Sequence, residues 1–202
     1  MSARTARLHE IEPIDVAGVH WRPVRRTLGI TAFRTNAYSA SAGEQLIEPH
    51  SEDDEEEMYV VVAGHATFTV AGEDIDAPAG TVVLCPEPAD HRSAVAIADG
   101  TLALAVGNRP GGAGPPSAWE HRFAATPAAE AGDHEQAYAI AAAGLEDHPE
   151  DANLLYDLAC YSGLAGERER ALEHWRQALA ADPLARQWAA GDPSLDSIRD
   201  AL

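Results

Sequence analysis

The stretch Gly43-Glu-Gln-Leu-Ile-Glu-Pro-His50-Ser-Glu52 runs into the acidic run Glu52–Glu57 and then into Met58-Tyr-Val-Val-Val-Ala-Gly64. Tyr59-Val60-Val61-Val62 is apolar on both faces, as in a strand buried on both sides. One imidazole and several carboxylates therefore stand just ahead of a buried strand. The acidic run reads as a solvated rim loop. Outward from this stretch the chain continues in short runs, Leu28–Phe33, Ala66–Val70, Thr81–Cys85, Arg92–Ile97 and Thr101–Val106. In Thr67-Phe68-Thr69-Val70 polar and apolar residues alternate, as on a half-buried strand, and Ala71-Gly72 follows as a hairpin turn. Many short strands separated by glycines and prolines specify a sandwich or a barrel. Tyr38, Tyr59, Phe68 and Trp21 either line the mouth of such a barrel or fill its core, with core the default for residues of this kind.

A second stretch, Gly80-Thr-Val-Val-Leu-Cys-Pro86-Glu-Pro88-Ala-Asp-His91, completes a pair. The two resemble, in order, the motifs of the cupin family, Gly-x5-His-x-His-x(3,4)-Glu-x6-Gly and Gly-x5-Pro-x-Gly-x2-His-x3-Asn. His50, Glu57, Gly64, Gly80, Pro86 and His91 match. Gly43 lies one residue farther from His50 than the motif asks, Glu52 stands where the second histidine belongs, Pro88 replaces a glycine and Val95 the asparagine. The resemblance implies a jelly-roll barrel at residues 28–110 behind an N-terminal arm at 1–27. It also implies one divalent metal (Fe, Mn, Ni or Zn) held inside by His50, Glu57 and His91, with Glu52 as a fourth ligand. Two imidazoles and a carboxylate suit non-haem iron, and an added carboxylate hardens the site toward manganese or iron. A barrel that keeps the fold and binds no metal is the alternative reading of the same departures.

Gly107-Asn-Arg-Pro-Gly-Gly-Ala-Gly-Pro-Pro116 cannot hold a helix or a strand and marks a domain boundary, with a linker at 111–116. Beyond it, at 117–202, Ala, Leu, Glu and Arg recur at helical spacing. Gly132-Asp-His-Glu-Gln-Ala137 returns as Gly166-Glu-Arg-Glu-Arg-Ala171, and Leu145 and Pro149 return as Leu179 and Pro183. That step is the tetratricopeptide period. Ala152–Pro183 resembles one full tetratricopeptide unit through Leu155, Leu158, Ala159, Gly166, Ala171, Trp175, Ala178 and Pro183. The fold class is thus an all-β cupin/jelly-roll barrel plus a C-terminal all-α tetratricopeptide-like domain. Upstream, Ser117–Ala131 has to supply a divergent first helix. Downstream, Leu184–Leu202 fits short capping helices, with Asp192-Pro193 as a helix start. So short an array is expected to lean on the barrel or on a second copy of the chain.

All 14 basic residues are arginines against 33 acidic ones, a formal charge of −19. Without lysine, Schiff-base chemistry, pyridoxal phosphate attachment and the phosphate-loop lysine are excluded. The charge argues against nucleic acid and anionic lipid. No apolar run reaches the roughly 20 residues of a membrane span, and Met1–Glu12 has no apolar core of a secretory signal, so the expected location is the cytoplasm. Cys85 and Cys160 form no disulfide framework. Three functional readings follow. The first is a small-molecule-binding barrel, with or without metal, whose helical tail mediates self-association as a homodimer. The second is an Fe- or Mn-dependent oxygenase or isomerase using His50, Glu57 and His91. The third is an acidic adaptor that grips a protein partner's basic peptides through the tail.

Overall fold

The computed structural model describes residues 3–16 and 18–202; of the expected N-terminal arm, Met1, Ser2 and Ala17 lie outside the described residues. The chain divides into two compact units, Met1–Ala113 and Gly114–Leu202.

The first unit is two facing antiparallel sheets. Its elements are β1 (Ile14–Val16), β2 (Val19–Arg22), the short helix α1 (Val24–Leu28), β3 (Arg34–Ala40), β4 (Gln45–His50), β5 (Glu56–Ala63), β6 (His65–Val70), β7 (Glu73–Pro78), β8 (Val82–Cys85), β9 (Arg92–Ala96) and β10 (Thr101–Asn108). One sheet has the order β1-β2-β3-β10-β5-β8 and the other β4-β9-β6-β7. Alternation decides which side chains fill the space between them. On β10, Ala103 and Ala105 point inward to a core with Leu46, Ile47, Tyr59, Val61, Phe68 and Ala94, while Leu102 and Leu104 point outward. The outward face is covered by Ile11 and Val24 of the N-terminal segment, packed on Ala37. Tyr59 and Phe68 meet at 5.3 Å between ring centroids and are core residues, whereas Tyr38 is half-buried at the edge of that core.

The Ala71-Gly72 turn joins β6 to β7 with both residues in the left-handed region, φ 50° and 85°, and Val70 opposite Glu73. That is the twist a two-residue hairpin loop requires. Two expectations are corrected. Leu28–Phe33 is not a strand: Leu28 ends α1, Gly29 turns the chain at φ 64°, and β3 begins only at Arg34. The sheet also starts earlier than residue 28, because Trp21 pairs with Tyr38 and Ile14 with Trp21, which draws β1 and β2 of the expected arm into the barrel.

The second unit holds α2 (Ala118–Glu130), α3 (His134–Ala143), α4 (Ala152–Leu164), α5 (Arg168–Ala181), α6 (Ala185–Trp188) and a 3-10 segment, Pro193–Ala201. Side-chain caps open most of them: Ser117, in a capping box with Glu120, and Asp133, Asp151 and Asp192 each accept a backbone N–H of the first turn. α4 starts 34 residues after α2, and α5 starts 34 after α3. Trp175 is buried between α4 and the C-terminal segments, with Tyr156, Ala185 and Leu195 in the same cluster. Arg122 of α2 binds Asp157 of α4 at 2.6 Å, and Arg170 of α5 binds Glu135 of α3 at 2.7 Å. No helix among the described residues is long and apolar enough to cross a membrane.

Candidate functional site

His50 is the last residue of β4 and Glu57 the second of β5, so the acidic loop between them hangs over one end of the barrel. The His50 ring donates from Nδ1 to the Glu48 carbonyl oxygen at 2.7 Å. This turns Nε2 toward the carboxylates, 3.5 Å from Glu57 Oε2 and 3.8 Å from Glu52 Oε1. One ligand atom each of His50, Glu52 and Glu57 lies within 4.8 Å of the others. Glu57 Oε2 also accepts from the Tyr59 hydroxyl at 2.6 Å and from Arg92 Nη1 at 3.3 Å.

The electrostatics follow from that geometry. Burial opposes ionisation of Glu57, but the bonds from His50 and Tyr59 and the charges of His50 and Arg92 outweigh it and hold the carboxyl below its ordinary range. His50 is raised above its ordinary value by the bond to Glu57, against burial and with help from the Glu48 carbonyl. Burial, followed by the charges of Glu48, Glu57 and Glu52, pushes the Tyr38 hydroxyl up, so it stays a neutral donor. Burial likewise raises the thiols of Cys85 and Cys160, both free, which makes them poor nucleophiles.

The structure brings His50, Glu52 and Glu57 together and does not bring His91 to them. His91 is exposed, and the next residue, Arg92, is fully buried in the position opposite His50 across the β4–β9 pair. The reason lies in the loop before β9. Arg92 Nη2 donates to the carbonyls of Glu87 (3.1 Å), Pro88 (2.6 Å) and Asp90 (2.9 Å), and Nε donates to Asp90 as well. The loop wraps around the guanidinium, and strand alternation then turns His91 out. The signal was present in Arg92-Ser-Ala94-Val-Ala96, where Ala94 and Ala96 face the core and Arg92 shares their parity. The acidic run likewise contains a residue the sequence reading did not single out. Glu55 is only 6% exposed and pairs with Arg34 at 2.8 Å, while Asp54 pairs with Arg109 at the surface.

Beside the triad lies a cavity of ≈ 100 Å³ walled by Arg34, Asn36, Tyr38, Glu52, Glu55 and Glu57. At about 30 Å³ per water it holds about three waters, the polar end of a ligand rather than a whole one. It shares Tyr38 with a ≈ 280 Å³ cavity that reaches Trp21 and Glu48. One imidazole and two carboxylates at this spacing fit a hard divalent metal such as manganese or iron. The fixed charge of Arg92 on the same Glu57 carboxylate opposes such an ion.

Two sheets of antiparallel strands around one core, with a histidine–carboxylate cluster at one end, define a sheet-rich jelly-roll barrel, here followed by helices. Residues 39–107 match the Cupin domain family. Among solved structures the chain is similar to a cupin protein from Bacteroides fragilis, with 23% identity, 50% of this chain and 86% of that chain covered, and a TM-score of 0.42. It is also similar to KdgF from a Halomonas species, with 18% identity, 52% and 93% covered, and a TM-score of 0.45. A third is a predicted oxalate decarboxylase from Thermotoga maritima, with 19% identity, 52% and 99% covered, and a TM-score of 0.45. None of the curated proteins matches the chain.

Proposed function

We propose that the cupin domain is a binding module for a small molecule, with His50, Glu52 and Glu57 at its polar end and the helical unit serving self-association. The observation that carries this is the ≈ 100 Å³ cavity walled by Glu52, Glu57 and the neutral Tyr38 hydroxyl, beside an imidazole already oriented by Glu48. His50 and Glu57 can hold or pass a proton to a ligand atom placed there, and Tyr38 can donate to it. In the helical unit, helix starts that recur at 34 residues support a tetratricopeptide-like pair of hairpins. An array so short favours packing on a second copy over gripping a peptide.

A second reading, a metal-dependent oxygenase or isomerase, is favoured by one detail: the Glu48 carbonyl fixes the His50 tautomer so that Nε2 is available as a ligand. His50, Glu52 and Glu57 would then hold the ion, and a divalent ion there would supply Lewis-acid chemistry. Metal content of the full chain by mass spectrometry, after incubation with Fe(II), Mn(II), Ni(II) or Zn(II), separates the two readings. The binding-module reading expects well under one equivalent and a ligand-dependent rise in melting temperature that His50→Ala abolishes. About one equivalent, lost in His50→Ala, favours the metal enzyme instead.

A further inference from the structure

On the face of the six-stranded sheet that carries Tyr38, a cavity of ≈ 430 Å³ is lined by Trp21, Arg25, Arg26, Ile30, Arg34 and Asn36. Its size is that of a metabolite site, and its walls join an aromatic and an aliphatic side chain to three guanidinium groups. It shares Arg34 and Asn36 with the smaller cavity beside the triad. The two spaces therefore meet at β3, one end cationic and the other carboxylate-rich.

Three arginines around one cavity are unexpected in a chain of charge −19, where carboxylates outnumber guanidiniums and pair with most that sit near them. Arg34 is held by Glu55. Arg25 and Arg26, on α1, pair with no carboxylate among the described residues. Arg25 donates from Nε to the Ile30 carbonyl at 3.2 Å, which steers its guanidinium to the cavity and leaves both Nη groups to spend. That geometry exists because Gly29 turns the chain back at φ 64°, and a Cβ there would collide with the Arg4 guanidinium, itself bonded to the Leu28 carbonyl. Charge-assisted, forked donors of this kind recognise carboxylate and phosphate groups. The distant negative charge of the chain does not cancel them, because at physiological ionic strength fields decay over about 8 Å.

We propose that this cavity is the anion-binding half of the ligand site. The ligand is a small organic anion, a carboxylate or phosphate, whose ring or hydrocarbon body packs on Trp21 and Ile30 and whose charged group is taken by Arg25 and Arg26. The assignment deepens the binding-module reading and rests on it for the polar end only.

The test follows the Trp21 indole N–H in two-dimensional NMR spectra of the full-length chain during titration with benzoate, phenyl phosphate and the neutral benzyl alcohol. Benzoate or phenyl phosphate is expected to shift that signal saturably, with the stronger of the two identifying the headgroup, and benzyl alcohol to leave it in place. Arg25→Gln/Arg26→Gln is expected to weaken the anion by about tenfold or more. Both arginines are exposed, so the double variant keeps the fold; independently of any variant, added NaCl should weaken the anion. Equal binding of benzyl alcohol, an unchanged double variant, or no shift with any probe overturns the anion site. None of those three results touches the His50 measurement that decides the binding-module reading.

Discussion

Arg92 is the most informative single residue of the barrel, because a fully buried guanidinium is costly unless each of its donors is met. Its donors go to three loop carbonyls and to Glu57, and the carbonyls take the shorter contacts. The loop before β9 therefore depends on Arg92 more than Glu57 does. Arg92→Met is expected to cost about 3–5 kcal/mol in urea unfolding, since it orphans buried acceptors, and Glu57→Gln about 1–2 kcal/mol. The coupling between the two in a double-mutant cycle should be only about 1–2 kcal/mol. A coupling as large as the whole Arg92→Met loss would make the ion pair, not the loop, the reason for the arginine. The same residue explains what could be read in advance. His50, Glu52 and Glu57 lie close in sequence, so local spacing sufficed to bring them together. His91 against Arg92 is a question of which neighbour faces inward, and a loop folded around a guanidinium is not written in a motif.

Among the elements, the ends carry much of the information. Asp192 accepts from Ser194 N at 2.9 Å as the cap of the last 3-10 segment, and its other oxygen accepts from the Tyr156 hydroxyl of α4 at 2.7 Å. Burial opposes its ionisation, but the bonds from Tyr156, Ser194 and Cys160 outweigh it and hold the carboxyl below its ordinary value of 3.8. A folded-state value below the unfolded one means stabilisation that is present above about pH 4 and is lost as pH falls through the folded value. Asp192→Asn should keep the cap and remove this acid-side loss, while Asp192→Ala should cost about 1–2 kcal/mol at neutral pH. Urea unfolding of both variants at pH 7 and pH 3 measures this, and an undiminished acid limb in Asp192→Asn would assign it to other carboxylates. Asp192-Pro193 was legible as a helix start, since a capping acid followed by a proline is a local signal. Its tie to Tyr156 was not, because 36 residues separate them. Leu28–Phe33 misled for the converse reason. Its apolar residues suit a strand, but Gly29 in the left-handed region closes a helix there, and Leu28 packs on the outer cluster.

For the molecule as a whole, two cores of different kind share one strongly acidic chain. The barrel core draws on residues 40–105 and the helical cores on residues 118–198, with no residue common to both. Against them stands the self-repulsion of a net charge of −19. Added salt acts on two opposed quantities, weakening that repulsion and also weakening the favourable ion pairs. Several of those pairs are exposed, such as Arg7–Glu10 and Arg109–Asp54, and pairs of that kind contribute about 0–1 kcal/mol each. Those that are largely buried, such as Arg92–Glu57, are screened less. Relief of repulsion should therefore dominate, and melting temperature should rise as NaCl goes from about 10 mM to about 300 mM, over which range the screening length shortens from about 30 Å to below 10 Å. Chloride is the salt to use, because sulfate would strengthen apolar burial on its own account. Calorimetry that showed the melting temperature falling with NaCl would mean that the arginine–carboxylate pairs outweigh the excess negative charge, and that the acidic surface is already balanced locally around its arginines.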